Sequence, residues 1–357
     1  MTKKENFIRR KIKKFVSLNR IPIVITKPED VFHLPDNSKI LILRQDRIGD
    51  LLISIPTIRS LRTKFPNAKI DLVLSRRNHG ISNSVRKYVD KIWIYDKEII
   101  SMCRLVRQIR KENYSVIVDF LTKPSLSSSY LIKYSQCPIV LGFDKENRNS
   151  YTHVIETANK GNLHIVQKTA ELMNAFGIET SNLNLSLEYQ ITDDDRRKVE
   201  SELGEKLKKR IGINLSGSSK SKYWGINNYI DCIKRIKLQF NDIEVYIFTT
   251  LIYKPVALKI MKETGAKLAK ITNSIHEYAC QLSTCDIIIT PYKSAVHFAA
   301  ACGIPCIILY NRKSEDDATN FWSSYKSPYI ELTTASGNLS NISVDDVVNA
   351  FNKLINK

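Results

Sequence analysis

The strongest constraint on this chain is an alternation of short apolar runs with amphipathic stretches, carried through twice. The segments "KILILR" (39–44), "KIDLVL" (69–74), "KIWIYD" (91–96), "SVIVDF" (115–120) and "PIVLGF" (138–143) read as strands. Helical stretches separate them, among them "DLLISIPTIRSLRTKF" (50–65), which contains Pro56. "HIVQKTAELMNAFGI" (164–178) reads as one helix closed by Gly177. The second set has strands at "RIGINLS" (210–216), "IEVYIFTT" (243–250), "DIIIT" (286–290) and "PCIILY" (305–310). Its helices fall at 228–240, 254–264, 275–285, 294–303 and 343–356. Strands alternating with helices at this spacing make βαβ units and parallel sheets. A chain of 357 residues exceeds one ordinary core. The polar run "TDDDRRKVESELGEKLKK" (192–209) marks the change from one α/β domain to the next. Two such domains leave a cleft between the carboxyl edges of their sheets, where ligands of open α/β sheets bind.

Composition narrows the partners. Lysine and arginine number 55 against 36 acidic residues, a formal charge of +19 that favours an anionic partner. Residues 1–20 place Ile8, Ile12, Phe15 and Val16 on one helical face among lysines and arginines. That pattern suits either an anionic membrane surface or packing on the chain's own domain. No run is long and apolar enough for a transmembrane helix, and the N-terminus lacks the apolar core of a secretory signal. A cytoplasmic protein is expected, peripheral at most on an anionic membrane surface. The seven cysteines are scattered without C-x-x-C spacing, which predicts reduced thiols and no metal site. The acidic run 193–195 reads as helix-start charge, not as metal ligands. No zinc finger or RNA-binding motif appears, so no specific nucleic-acid partner is expected.

Three loops at strand ends carry the candidate chemistry. In "RQDRIGD" (44–50), Gly49 permits a tight turn and Asp50 stands at the helix start. A carboxylate there is kept ionised by the helix dipole, and at a cleft it can take a proton from an acceptor hydroxyl. The plainer reading is a helix N-cap. In "SGSSKSKYWG" (216–225), Ser218, Ser219 and Lys222 offer hydroxyls and a cation suited to a pyrophosphate. In "TPYKSAVHFAAACGIP" (290–305), Pro291 ends the strand and Ser294 caps a helix whose N-terminus makes a second anion site. Tyr292 and Lys293 lie in this loop, and His297 sits one turn in, where it reads as a buried structural histidine. G-x-G-x-x-G and Walker A patterns are absent, which argues against a nicotinamide cofactor or an NTPase.

The three loops, in this order, resemble glycosyltransferase family 9, the ADP-heptose:lipopolysaccharide heptosyltransferases. "ILILRQDRIGDLLISIPTIRSLRTKFPNAKIDLVL", "INLSGSSKSKYW" with its K-x-W spacing at Lys222 and Trp224, and "HEYACQLSTCDIIITPYKSAVHFAAACGIPCIILY" carry the resemblance, which runs from about residue 39 to 310. It implies a GT-B fold, two Rossmann-like domains facing each other across a cleft. The implied plan is a basic extension over 1–38, an acceptor domain over 39–185, a nucleotide-sugar donor domain over 186–342 and a final helix over 343–357. It also implies inverting transfer without metal or cofactor, with Asp50 as general base and Ser218, Ser219 and Lys222 on the donor diphosphate. The implied partners are ADP-heptose, an anionic lipopolysaccharide-core glycolipid and the inner-membrane surface. One departure stands out: the family carries an acidic residue and then a small hydroxyl residue where this chain has Tyr292 and Lys293. Two other readings stay open at this point. One is a family member using another nucleotide sugar for capsule, O-antigen or outer core. The other is a non-catalytic nucleotide-sugar-binding protein of the same fold.

Overall fold

The computed structural model describes residues 18–156, 163–215, 223–292, 294–312 and 323–356. The chain divides into two compact units, 1–185 and 186–357.

In the first unit the strands are β1 (Ile23–Ile25), β2 (Lys39–Leu43), β3 (Lys69–Ser75), β4 (Lys91–Tyr95), β5 (Val116–Asp119), β6 (Ile139–Phe143) and β7 (His153–Ile155). They form one sheet in the order β1-β7-β6-β5-β2-β3-β4, every pairing parallel. The helices are α1 (Ile48–Lys64), α2 (Ile99–Glu112), α3 (Leu126–Ser135) and α4 (Ile165–Ala170). Helices on a parallel sheet explain the unbroken apolar strands: Ile40 to Leu43 are all fully buried. Ten of the residues of α1 are buried, Pro56 among them, so this helix is a core element with little polar face.

Two details depart from the sequence reading. The expected basic helix falls mostly on residues 1–17, which lie outside the described residues, and residues 18–38 are not set apart from the domain. Strand β1 pairs with β7 at the sheet edge, and Phe32 packs edge-on against Phe176 at 5.3 Å. The helix expected over 164–178 stops at Ala170 and continues as a 3-10 turn over Glu171–Ala175. The buried Glu171 carboxylate accepts there from Asn174 and Thr180, and Gly177 turns the chain with φ +68°.

The second unit holds α5 (Asp193–Leu203), β8 (Lys209–Asn214), α6 (Ile226–Gln239), β9 (Ile243–Phe248), α7 (Lys254–Thr264) and β10 (Lys267–Leu268). It continues with α8 (Ile275–Leu282), β11 (Ile287–Pro291), α9 (Ser294–Ala301), β12 (Cys306–Asn311), β13 (Tyr329–Thr334) and α10 (Val344–Ile355). The sheet order is β10-β9-β8-β11-β12-β13, again parallel throughout. Helix α5 takes up the first part of the polar run 192–209, with a capping box between Thr192 and Asp195. The final helix α10 packs on α6 and β13, with Phe351 fully buried in this unit's core.

Each sheet reverses its winding once. In the first unit the reversal falls between β2 and β5, and in the second between β8 and β11. A crevice opens at such a point, outside the carboxyl ends of the two strands, and ligands of doubly wound sheets bind there. The loops that leave β2, β8 and β11 are the three that sequence singles out.

Candidate active site

At the first switch point, the residue that follows β2 is Arg44, 1% exposed at its side chain. A guanidinium this deep needs acceptors on every side. Its Nε donates to the Asp50 carbonyl at 2.8 Å, and Nη1 donates to the Phe120 carbonyl at 2.5 Å. Nη1 also lies 3.3 Å from Asp46 Oδ2, and Nη2 lies 3.9 Å from Asp50 Oδ1. Arg44 therefore stands between two carboxylates of one loop.

Helix α1 begins at Ile48, with Arg47 as an extended N-cap residue that makes no side-chain cap bond. Asp50 is thus the third helical residue, not the N-cap. Side chains in a first turn point back toward the helix start, which is why the Asp50 carboxylate meets Arg44. Its side chain is 13% exposed. Gly49 lies inside the helix and has no positive φ, so the tight turn expected of it is not made there. The turn is made before it, over Asp46 and Arg47.

Asp46 is the less comfortable of the two acids. Its carboxyl is pushed up to about 6, chiefly by burial. Arg44 opposes that rise, while Asp50 and Asp119 add to it. Oδ1 of Asp46 and Oε1 of the neighbouring Gln45 are buried without a hydrogen-bond partner among the described residues. A group whose folded value exceeds the unfolded value of about 3.9 binds its proton more tightly when folded. Its stabilising contribution is full below about pH 4 and is lost as pH rises through about 6. Asp46→Asn should therefore gain on the wild type in melting temperature between pH 4 and 7. A difference that stays flat with pH would show that Asp46 does not titrate in this range.

Behind Arg44, at the ends of β5 and β6, lies a second charged group. Asp119 is fully buried and accepts from Tyr151 Oη at 2.7 Å, Lys145 Nζ at 3.2 Å and the Leu121 amide at 3.1 Å. Lys145, 6% exposed, also donates to the Leu121 carbonyl. Burial lowers the Lys145 ammonium below its ordinary range, against the pull of Asp119, and burial raises the Tyr151 phenol well above its own. Gly142 makes room for this arrangement: a Cβ there would stand 2.5 Å from the Tyr151 ring. Ser128 joins the two groups, accepting from Gln45 at 3.0 Å and lying 3.5 Å from Asp119.

In the second unit, Ser218, Ser219, Lys222 and Lys293 lie outside the described residues. The framework around them is clear. Asn214, the last residue of β8, donates to Thr290 Oγ1 on β11 at 2.9 Å, tying the two switch-point strands together. Trp224 is fully buried and donates from Nε1 to the Ile342 carbonyl at 2.9 Å. Tyr223 stacks on Tyr253 at 5.6 Å and 20°. Gly225, at φ +110°, turns the chain into α6, a conformation that disfavours any side chain. Tyr292 leaves β11 with its ring edge-on to Tyr310 at 5.3 Å and to His297 at 6.3 Å. Ser294 opens α9. His297 is 3% exposed, a core position in keeping with the structural reading of it.

Arg44, Asp46, Asp119, Lys145 and Tyr151 were not singled out from sequence. The available signal was a charge at the end of an otherwise apolar strand, Arg44 after "ILIL" and Asp119 after "VIV".

Two parallel α/β units of this topology, each with one switch point at the carboxyl ends of its strands, define a GT-B protein. By sequence, residues 102–341 match the pattern of glycosyltransferase family 9 (heptosyltransferase), and the chain belongs to that family. It is accordingly a glycosyltransferase. Lipopolysaccharide heptosyltransferase 1 of Campylobacter coli is 23% identical over 295 residues, which span 76% of this chain and 83% of the relative. The fold is shared with a Veillonella parvula family 9 glycosyltransferase at TM-score 0.78 and 17% identity, covering 90% of this chain and 98% of the other. It is also shared with E. coli ADP-heptose lipopolysaccharide heptosyltransferase II at TM-score 0.70 and 18% identity, covering 89% and 98%. E. coli heptosyltransferase WaaC with ADP-2-deoxy-2-fluoro heptose aligns at TM-score 0.67 and 15% identity, covering 88% and 99%. Among the described residues no helix is long and apolar enough to cross a membrane.

Proposed function

We propose that this chain transfers a sugar from a nucleotide diphosphate donor to an anionic glycolipid of the lipopolysaccharide core, with inversion and with Asp50 as general base. ADP-heptose is the donor that the relatives' names favour. The observation that carries the reading is the Asp50 carboxylate at the β2/β5 switch point, in the first turn of α1 and beside the buried Arg44. A positioned carboxylate of this kind accepts the acceptor's hydroxyl proton as that oxygen bonds to the anomeric carbon. The bond from that carbon to the diphosphate oxygen breaks, and the nucleoside diphosphate departs with the electron pair. Arg44 holds Asp50 by its carbonyl and its carboxylate, which fixes the base before the acceptor arrives.

Charge on the leaving diphosphate is assigned to Ser218, Ser219, Lys222 and the N-terminus of α9, following their place after β8 and β11. Lys222→Ala should weaken binding of the nucleoside diphosphate about tenfold or more, the scale of one charge-assisted contact. Calorimetric titration with ADP tests this, and unchanged affinity would remove Lys222 from the diphosphate site. The positive charge and the basic first twenty residues fit an anionic acceptor at the inner face of a membrane.

A second reading has one observation in its favour. Tyr292, wedged edge-on against Tyr310, stands where the family carries an acidic residue. An aromatic ring there suits a different donor sugar. Retained binding of UDP, GDP or CMP in place of ADP would select that reading.

A further inference from the structure

The second unit gathers a side-chain cluster that the transfer chemistry does not use. His276 and Cys280 lie four residues apart on α8, so they share one face. Asp195 comes from the first turn of α5 and reaches the same point. His276 Nε2 stands 3.1 Å from Asp195 Oδ1 and 3.6 Å from Cys280 Sγ. One ligand atom from each of the three residues fits within 4.8 Å of the others. A tetrahedral zinc ion bonded at about 2.0–2.3 Å sets its ligands roughly 3.3–3.7 Å apart. The two contacts of His276 Nε2, at 3.1 and 3.6 Å, are close to that spacing, and the third edge lies within 4.8 Å.

The other imidazole nitrogen completes the pattern. His276 Nδ1 lies 2.8 Å from the Tyr189 hydroxyl. Metal-bound histidines give their second N–H to such an oxygen, which fixes the tautomer and turns the free lone pair toward the ion. A plain ion pair explains Asp195 and His276, but it gives the Cys280 sulfur no part. The Cys280 thiol is buried beside the imidazole. Sulfur, nitrogen and oxygen ligands together select zinc among common divalent ions.

We propose that Asp195, His276 and Cys280 form a zinc site that fastens α5 to α8, with Tyr189 orienting His276 and water in the fourth position. On binding, the Cys280 thiol proton passes to solvent as the zinc–sulfur bond forms, and no electron is transferred. The site is separate from the proposed transfer chemistry and does not depend on it. Sequence hides the cluster because Asp195 and His276 are 81 residues apart and no Cys pair marks it.

The full-length protein, loaded with cobalt(II) as a spectroscopic stand-in for zinc, tests the proposal. The expected spectrum has a thiolate-to-cobalt charge-transfer band and the intense visible bands of four-coordinate cobalt, at one ion per chain. Cys280→Ser should lose the charge-transfer band, whereas Cys103→Ser should keep it. Tyr189→Phe, which preserves the packing of the ring, should weaken zinc about 10–100-fold. A wild-type spectrum without the charge-transfer band would overturn the site. So would a band that survives Cys280→Ser, or zinc affinity that Tyr189→Phe leaves unmoved.

Discussion

Asp50→Asn is expected to lower sugar transfer about a hundredfold to ten-thousandfold, the range that a positioned general base contributes. The amide is nearly isosteric and cannot accept the acceptor's proton. Two of the contacts that place residue 50 survive the change, because they use its backbone. Arg44 Nε donates to the Asp50 carbonyl, and Ser54 Oγ donates to the same oxygen at 2.8 Å. Donor affinity is set elsewhere and should change little. The diagnostic pattern is a fall in turnover with the dissociation constant for ADP preserved. Steady-state rates and calorimetry on one preparation read both. Turnover within a few-fold of wild type would remove Asp50 from the chemistry.

The largest expected effect on stability lies one step behind the site, at Lys145→Met. That substitution deletes the ammonium 3.2 Å from Asp119 and leaves a fully buried carboxylate with its cation gone. Breaking a buried pair on one side costs about 3–5 kcal/mol. For a unit the size of residues 1–185 that is roughly 6–20 °C in melting temperature. The companion change separates charge from packing. In Lys145→Met with Asp119→Asn, the amide oxygen still accepts from Tyr151 and from the Leu121 amide, and no charge is stranded. The double variant should melt above the single one. If the single variant melts within a degree or two of wild type, Lys145 is not the partner that Asp119 requires.

The fold was legible where burial is two-sided. Strands such as "ILIL" and "VIV" lie between layers of helix, so apolar residues occupy every position and the run is visible without a period. Four strands escaped notice for definite reasons. β1, β7 and β10 are two or three residues long, too short for any pattern, and β13 is a half-exposed edge strand that mixes Tyr, Glu and Thr. The place of Asp50 beside a helix start was legible because a carboxylate there has a local physical meaning, whereas its proposed role as a base came from the family resemblance. Its environment was not legible. Arg44, Phe120 and Lys145 are brought together by the order of strands in the sheet, and nothing local in "FDKEN" says that its lysine is buried against Asp119. The same holds for Asp195 and His276. The acidic run 193–195 does open a helix, as expected, but its third member turns to a histidine far along the chain.

The charged group around Arg44 bears on the proposed role of Asp50. Two carboxylates share one guanidinium, and the proton affinity of Asp46 is raised chiefly by its burial. Environments that treat neighbouring acids differently are the usual means of giving them different roles.

The most direct measurement of the central claim is acceptor-dependent release of ADP from ADP-heptose, followed by the anomeric configuration of the product by NMR. ADP release that requires a lipopolysaccharide-core acceptor, yielding a glycoside inverted relative to the donor, is the predicted result. A product of retained configuration, or no acceptor-dependent release from a protein that binds ADP-heptose, would contradict it.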